Sequence, residues 1–245
     1  MSKKVVFLGT KNIGLECLKI LYDNQFKLNY EIIGVLTDPK SENIQNYSLK
    51  NNLKLLSSLD DYLSLRNIDI TISIQYSKIL NLHHIKKAKD LVINLHMAPL
   101  PEYRGCNQFT IAIIEEKKIF GTTIHKLEEG IDSGDILFES RFEIPKGCWV
   151  DELYEITYQK SLELLNKSLS DIISMNINPI PQASLKKERG SSLHYRDEIN
   201  DLKKIDLSLS KYEIEKYIRA TSMGGFESPF TEIDGKKIFF KKEIK

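Results

Sequence analysis

Short apolar strand patterns alternate with helix patterns through the first half of this 245-residue chain. The strand patterns are near-continuous runs of Val, Ile and Leu, which is typical of strands that are buried on both faces. A parallel sheet with helices on both sides buries its strands in this way. We therefore predict a doubly wound, mainly parallel sheet, with strands at residues 4–9, 30–37, 53–56, 68–75 and 91–96 and helices at residues 13–22 and 83–89.

The second half of the chain is predicted to extend this sheet. A helix pattern at residues 108–117 is followed by two strand-like segments, at residues 121–126 and 136–144, which we expect to pair as an antiparallel extension. Residues 150–175 carry apolar side chains at helical spacing, so a long amphipathic helix should cover one face of the sheet.

A polar break at residues 176–190 is the predicted domain edge, because its two prolines stop a helix. Beyond it we expect a helix at residues 211–220 and a hairpin closed by an Asp-Gly turn at residues 234–235. The predicted fold is therefore a Rossmann-like α/β domain at residues 1–180, followed by a small C-terminal α+β region at residues 181–245.

Charge and cysteine content argue against several classes of protein. A formal net charge of +1 gives no general attraction to nucleic acid. The three cysteines, Cys17, Cys106 and Cys148, have no short metal-binding spacing, so we expect reduced thiols. The first four residues lead straight into a strand, and no apolar run reaches the ~18 residues of a membrane span. We expect a cytoplasmic protein with no nucleic-acid, membrane or metal partner.

The strand at residues 91–96 ends in the best candidate for chemistry. Asn94 and His96 are two residues apart, so both side chains can face one pocket. An amide donor beside an imidazole suits polar catalysis near neutral pH. A carboxylate would complete the unit, and Asp132 is the candidate because Gly130 and Gly134 allow a tight backbone path around it.

Residues after two strand ends are candidates for substrate binding, because doubly wound sheets bind ligands there. Each of these motifs, taken alone, also has a purely structural interpretation. The first loop can be a tight strand-to-helix turn, and an Asn or His at a strand end can cap a helix. The substrate-binding candidates are Thr10, Lys11 and Asn12 after the first strand, and Met97, Tyr103, Arg104 and Gln108 after the fifth.

Four motifs occur in order along residues 94–137. They are Asn-x-His at 94–96, Pro-Leu-Pro-x-Tyr-Arg-Gly at 99–105, Gly-Thr-Thr-Ile-His at 121–125 and Gly-Ile-Asp-Ser-Gly-Asp-Ile-Leu at 130–137. The ordered set resembles the folate-dependent formyltransferase family. Members of that family formylate methionyl-tRNA, glycinamide ribonucleotide or nucleotide-linked amino sugars.

The resemblance implies a catalytic triad of Asn94, His96 and Asp132 and 10-formyltetrahydrofolate as the formyl donor, without a metal. Asn94 would donate to the oxyanion that forms when an amine attacks the formyl carbon. His96 would either accept the proton of the amine or help to hold the oxyanion, and the residues leave both roles open. Asp132 would orient His96.

The same resemblance implies two segments that read the pterin edge of the folate. The first departs from the family's usual Tyr-Gly and Leu-Pro pattern, since this chain has Tyr-Ser-Lys-Ile-Leu-Asn at residues 76–81. The implied folate-binding residues are Gln75, Tyr76, Ser77, Lys78 and Ile79 in the first segment, and Leu127, Glu128, Glu129, Gly130 and Ile131 in the second.

The acceptor implied by the resemblance is an amino sugar. The compact C-terminal region and the Tyr-Arg-Gly-Cys-Asn-Gln loop at residues 103–108 are similar to those of the small nucleotide-sugar N-formyltransferases. The expected substrate is a dTDP-linked amino-dideoxyhexose, with dTDP-4-amino-4,6-dideoxyglucose as the first choice, for O-antigen polysaccharide of the cell surface. The alternatives are a methionyl-tRNA formyltransferase with a shortened C-terminal domain and a folate- or nucleotide-sensing module without turnover.

The last part of the chain predicts self-association. A lone hairpin is marginally stable in water, and this one carries Phe230, Ile233, Ile238, Phe239 and Phe240. Its two faces alternate, so at least one apolar face needs a cover. Similar sugar formyltransferases pair two subunits through this region, which implies a homodimer; docking onto the chain's own catalytic domain is the alternative.

Overall fold

The computed structural model describes residues 2–242. Residue 1 and residues 243–245, which the predicted domains include, lie outside the described part. A seven-stranded sheet forms the centre, and two small two-stranded sheets lie apart from it. The strands, in chain order, are β1 (Lys3–Gly9), β2 (Tyr30–Leu36), β3 (Leu55–Leu56), β4 (Ile70–Ile74), β5 (Leu91–His96), β6 (Tyr103–Gly105), β7 (Ile119–Lys126), β8 (Ile136–Glu143), β9 (Ser192–His194), β10 (Phe230–Ile233) and β11 (Lys236–Phe239).

The order of strands in the central sheet is β3-β2-β1-β4-β5-β7-β8. The first five of these run parallel, and β7 and β8 continue the sheet in antiparallel register. The direction of winding reverses between β1 and β4, which makes the crevice beyond their carboxyl ends the expected ligand site. The predicted mainly parallel α/β sheet with an antiparallel extension and a C-terminal hairpin is confirmed.

Nine helices in the described residues connect and cover these strands. The longest, α6, packs against α1, β7 and β8 and contributes Leu165, Leu169 and Ile172 to the main core. The helices are α1 (Lys11–Leu28), α2 (Glu42–Lys50), α3 (Leu59–Ser64), α4 (Leu82–Ile85), α5 (Gln108–Ile114), α6 (Val150–Ser174), α7 (Gln182–Arg189), α8 (Glu198–Lys203) and α9 (Lys211–Thr221).

The predicted polar break at residues 176–190 is partly wrong, because it contains helix α7. Polar and charged residues dominate this helix, so it gives no apolar periodicity from which to predict it. Pro181 does not stop a helix here. It is the N-cap of α7, while α6 ends earlier, with Met175 in the left-handed conformation.

The C-terminal region contacts the α/β domain through backbone and side-chain hydrogen bonds. Strand β9 pairs in parallel with β6, and Gln182 donates to the carbonyls of Asp132 and Gly134. Helix α9 packs on α5, where Thr110 Oγ1 donates to the carbonyl of Ala220 at 2.8 Å. The division at residues 180 and 181 stays a prediction. No helix within residues 2–242 is long and apolar enough to cross a bilayer.

Candidate active site

The carboxyl ends of β1, β4 and β5 open into a cleft of about 1160 Å³. Thr10 follows β1, Gln75 follows β4, and His96 ends β5, and all three line this cleft. The volume exceeds the ~300–1,000 Å³ that is usual for a site that holds one small ligand. The cleft therefore has room for two substrates side by side.

Asn94, His96 and Asp132 meet at this cleft. His96 is 4% exposed, and its Nδ1 lies 3.6 Å from Asp132 Oδ2. Strand β5 supplies the first two side chains, and the loop between β7 and β8 brings in Asp132. The structure thus brings together the three residues that the sequence predicts to be catalytic.

The Asp132 carboxylate lies between two imidazoles. His125 is fully buried on β7, and its Nε2 is 3.5 Å from Asp132 Oδ1. The backbone amide of Gly105 donates to Asp132 Oδ2 at 2.9 Å. Burial alone would raise the pKa of Asp132, but His96 and this amide stabilise the anion and hold the pKa well below its usual range.

His125 fixes the orientation of Asn94. A carbonyl only accepts, so the 2.7 Å contact from His125 Nδ1 to the carbonyl of Lys126 places a proton on Nδ1. In the neutral ring, Nε2 then accepts from Asn94 Nδ2, which lies 3.3 Å away. Because Asn94 and His125 are direct partners in the β5–β7 register, sheet pairing itself sets this contact.

Both ring nitrogens of His96 face acceptors. Nε2 donates to the carbonyl of Tyr103 at 2.7 Å, while Nδ1 faces Asp132. The ring is therefore held by a hydrogen bond on one side and lies next to the Asp132 carboxylate on the other.

The loop of residues 130–135, called here the Asp132 loop, has a constrained backbone. Asp132 has a φ of 45°, and a Cβ at Gly134 would lie 2.0 Å from the carbonyl oxygen of Lys126. Gln182 at the start of α7 is 5% exposed, and its Nε2 donates to the carbonyls of Asp132 and Gly134 at 2.8 and 2.7 Å. A residue beyond the predicted domain edge therefore holds the loop that positions Asp132.

The predicted binding residues divide between the cleft and its surroundings. Eight of them line the cleft with the three catalytic candidates: Thr10, Lys11, Asn12, Gln75, Tyr76, Ser77, Met97 and Gln108. The other nine described residues, which do not line it, are Lys78, Ile79, Tyr103, Arg104, Leu127, Glu128, Glu129, Gly130 and Ile131.

Packing explains why several of these nine lie elsewhere. The side chain of Tyr103 is 3% exposed and stacks near Phe120 at 5.8 Å between ring centroids, so only its carbonyl reaches His96. Ile79 and Ile131 are 84% and 42% exposed, on the surface outside the cleft. These two residues do not line the cleft, and their implied role in folate binding stays a prediction.

Several cleft residues were not predicted from the sequence. Asp38 follows β2 and accepts from Ser77 Oγ at 2.8 Å. Thr10 was predicted because ligands bind beyond the strand ends of a doubly wound sheet, and the same reasoning would have predicted Asp38. Arg196, Lys203 and Phe226 line the cleft from the C-terminal region, where no sequence pattern places them. Within residues 2–242 no group of three or more His, Cys, Asp or Glu could hold a metal ion.

Comparisons with known proteins agree on one family. The sequence profile described as formyl transferase matches residues 3–169. Methionyl-tRNA formyltransferase of Alkaliphilus oremlandii is 27% identical over 235 residues, which cover 89% of this chain and 73% of that protein.

Two solved structures are similar over almost the whole chain. The N-formyltransferase from Helicobacter canadensis, in complex with folinic acid and dTDP-3-aminofucose, has a TM-score of 0.78 at 24% identity and matches 97% of this chain and 86% of its own. A 4-N formyltransferase from Francisella tularensis has a TM-score of 0.78 at 20% identity and matches 99% of this chain and 98% of its own. At these identities the two structures establish the shared fold.

The contact between Gln182 and the Asp132 loop predicts a loss of stability when it is removed. Gln182→Met keeps the length of the side chain but leaves two carbonyls without their donor. We expect the free energy of unfolding to fall by about 1–3 kcal/mol in denaturant titrations. Gln159→Met, on the exposed face of α6, is the matched control and should stay within about 0.5 kcal/mol. Equal stability of the two variants would contradict this role.

The lowered pKa of Asp132 predicts a pH dependence of stability. Its pKa in the folded state lies below the ordinary value of 3.8, so its ionisation stabilises the fold above that pH. The contribution is lost as the pH falls through and below 3.8. The difference in unfolding free energy between wild type and Asp132→Asn, measured from pH 7 to pH 3, should therefore shrink towards acid. A difference that stays constant would show that the ionised carboxylate is not specifically stabilised.

Proposed function

The chain belongs to the formyl transferase family, and from this premise we propose that it moves a formyl group from 10-formyltetrahydrofolate to the amine of a dTDP-linked amino-dideoxyhexose. The first-choice acceptor is dTDP-4-amino-4,6-dideoxyglucose, made in the cytoplasm for O-antigen of the cell surface. The observation that carries this proposal is the meeting of Asn94, His96 and Asp132 at a cleft large enough for two substrates.

Asn94 has the geometry for an oxyanion donor. Its amide nitrogen carries two protons, and one of them is directed at His125 Nε2. The second is free to donate to the oxygen that becomes negative when the amine attacks the formyl carbon. Because His125 fixes the amide, this donor is oriented before the substrate binds, which is the condition for effective electrostatic stabilisation.

The contacts of His96 favour one of its two possible roles. Nε2 carries a proton that it donates to the carbonyl of Tyr103, so Nε2 cannot take the proton of the amine. Nδ1 faces Asp132, so both ring nitrogens already face protein acceptors. We therefore propose that a protonated His96 stabilises the oxyanion through its positive charge while Asn94 donates to it, and that Asp132 orients the ring.

The folate would lie between β5 and the Asp132 loop. Gln75, Tyr76 and Ser77 line the cleft after β4, and Gln75 has a φ of 53°, which turns the backbone sharply at this point. Thr10 Oγ1 donates to the carbonyl of Gln75 and supports that turn. None of residues 127–131 lines the cleft, and the proposal is that their backbone groups contact the pterin.

The acceptor side of the cleft is suited to a charged sugar nucleotide. Lys11 and Arg196 both line it, and burial together with the nearby Arg196 lowers the pKa of Lys11. Two adjacent cations at a cleft suit a diphosphate. The similarity to the Helicobacter canadensis enzyme, which was solved with dTDP-3-aminofucose, supports an acceptor of this class. The name of the Francisella tularensis enzyme supports an amine at C4.

The alternative acceptor is methionyl-tRNA. The observation in its favour is the 27% identity to the methionyl-tRNA formyltransferase of Alkaliphilus oremlandii. Against it, the formal net charge is only +1. A sensing module without turnover is the third candidate, and the assembled triad argues against it.

Release of tetrahydrofolate in the presence of candidate amines tests the function. We expect release with dTDP-amino sugars and none with charged initiator tRNA, which should also give no shift in a gel. Activity on tRNA alone would replace the sugar proposal with the first alternative. Folate binding without turnover of any amine would favour the sensing module.

Removal of each triad side chain should lower turnover more than stability. Asn94→Ala, His96→Ala and Asp132→Ala should each reduce the rate of formyl transfer by at least about 100-fold, because each acts on the developing charge. His83→Ala, an exposed histidine outside the cleft, is the matched control and should keep its full rate. Near-normal rates in any two triad variants would exclude this assignment.

We also propose a homodimer through the hairpin of β10 and β11. The register pairs Thr231 with Ile238, so Ile238 and Ile233 share a face, and they are 50% and 47% exposed. Covering both on a second subunit would remove apolar surface from water. Deleting the hairpin would also disturb Phe230, which is buried and accepts from the amide of Ile205, so a point variant is the sharper test.

Ile238→Glu should therefore convert a dimer to a monomer in sedimentation experiments at micromolar concentration. Leu49→Glu, at an exposed apolar position on α2, is the control and should leave the dimer unchanged. A wild-type protein that is already monomeric at that concentration would refute the proposal.

A further inference from the structure

The side chain of Lys203, the last residue of α8, lies on the wall of the cleft. The residue is 8% exposed, and within residues 2–242 its Nζ has no hydrogen-bond or ion-pair partner. The nearby carboxylate of Glu227 already pairs with Lys237 at 3.1 Å. The ammonium of Lys203 is therefore available to contact a ligand group when the cleft is filled.

An exposed aromatic ring lies beside this cation. Phe226 is 70% exposed, lines the same cleft, and has its ring centroid 6.0 Å from Lys203 Nζ. An exposed phenyl face can stack on any planar ring, including a nucleobase. The two side chains together present one apolar plane and one cation at its edge.

The other cations of the acceptor side are already suited to phosphate. Lys11 and Arg196 lie close enough that Arg196 lowers the pKa of Lys11. Burial lowers the pKa of Lys203, Glu227 raises it and Lys237 lowers it. Lys11 and Arg196 therefore form one group of charges in the cleft, and Lys203 with Glu227 and Lys237 forms another. A diphosphate bound at Lys11 and Arg196 would leave Lys203 for another part of the acceptor.

We propose that Lys203 and Phe226 form the subsite for the nucleobase of the acceptor, and that Lys203 selects an oxo-substituted base. This inference rests on the proposed nucleotide-linked acceptor. An ammonium only donates, so it fits the carbonyl oxygen at C4 of uracil or thymine and not the amino group at C4 of cytosine. Phe226 stacks on the base face without reading its identity.

Binding of dUDP and dCDP to the full-length protein, measured by calorimetry without folate, tests the subsite. These probes share their deoxyribose and diphosphate and differ only at C4 and N3 of the base. We expect dUDP to bind at least about 10-fold more tightly, which is the lower range for a hydrogen bond to a charged group. Lys203→Met should abolish this preference, whereas Lys204→Met, on the exposed neighbour, should retain it.

Phe226→Ala distinguishes stacking from base selection. It should weaken binding of both probes by similar factors of about 10 and leave their ratio unchanged. Lys203→Met should in addition leave the melting temperature of the ligand-free protein unchanged, because it removes no hydrogen bond or ion pair of the described residues. A structural role for Lys203 would lower the melting temperature instead.

The outcomes separate this inference from the proposed function. Equal loss of dUDP and dCDP affinity in Lys203→Met would assign Lys203 to the diphosphate and overturn the base selection. Nucleotide binding without any base preference would overturn it too, while formyl transfer could still be observed. Base selection without release of tetrahydrofolate would support the subsite and refute formyl transfer. Failure of both probes to bind would overturn the subsite together with the nucleotide-linked acceptor.

Discussion

The candidate site depends on the burial of one carboxylate between two imidazoles. A buried anion is unfavourable unless it is paired and hydrogen-bonded, and Asp132 has His96, His125 and the amide of Gly105 around it. The same carboxylate fixes what its neighbours can do. His96 is held with both nitrogens facing acceptors, and His125 is held where its Nε2 meets the amide of Asn94. The proposed catalytic unit is therefore better described as four side chains than as three.

Chain segments distant in sequence hold that unit together. The register of β5 with β7 sets Asn94 opposite His125, and the turn after β7 supplies Asp132. Gln182 then fixes the two carbonyls that flank the tip of the Asp132 loop, and β9 pairs with the strand that carries Gly105. The C-terminal region thus supports the chemistry as well as lining the acceptor side. A variant in this region can change the reaction without touching a reacting atom.

Lys203 and Lys11 place two cationic groups on the wall of the cleft. Burial lowers the pKa of both lysines. Lys11 Nζ donates to Gln75 Oε1 at 3.0 Å, whereas Lys203 Nζ has no hydrogen-bond or ion-pair partner within residues 2–242. A cation without such a partner can contact a ligand without first losing a contact within the protein.

The sequence alone determined the α/β sheet, the position of β5 at residues 91–96, the catalytic candidates and the family. Apolar runs report burial on both faces, and the family motifs lie in short contiguous stretches that can be recognised without a structure. Helix α7 was not predicted because its sequence is polar, and no sequence pattern places Arg196, Lys203 and Phe226 at the cleft. Only the tertiary structure shows this helix and these cleft residues. It alone also shows the contact of His125 with Asn94 and the contact of Gln182 with the Asp132 loop. Each depends on backbone pairing or packing between segments far apart in the chain, and a local sequence pattern carries no information about which distant groups a side chain will meet.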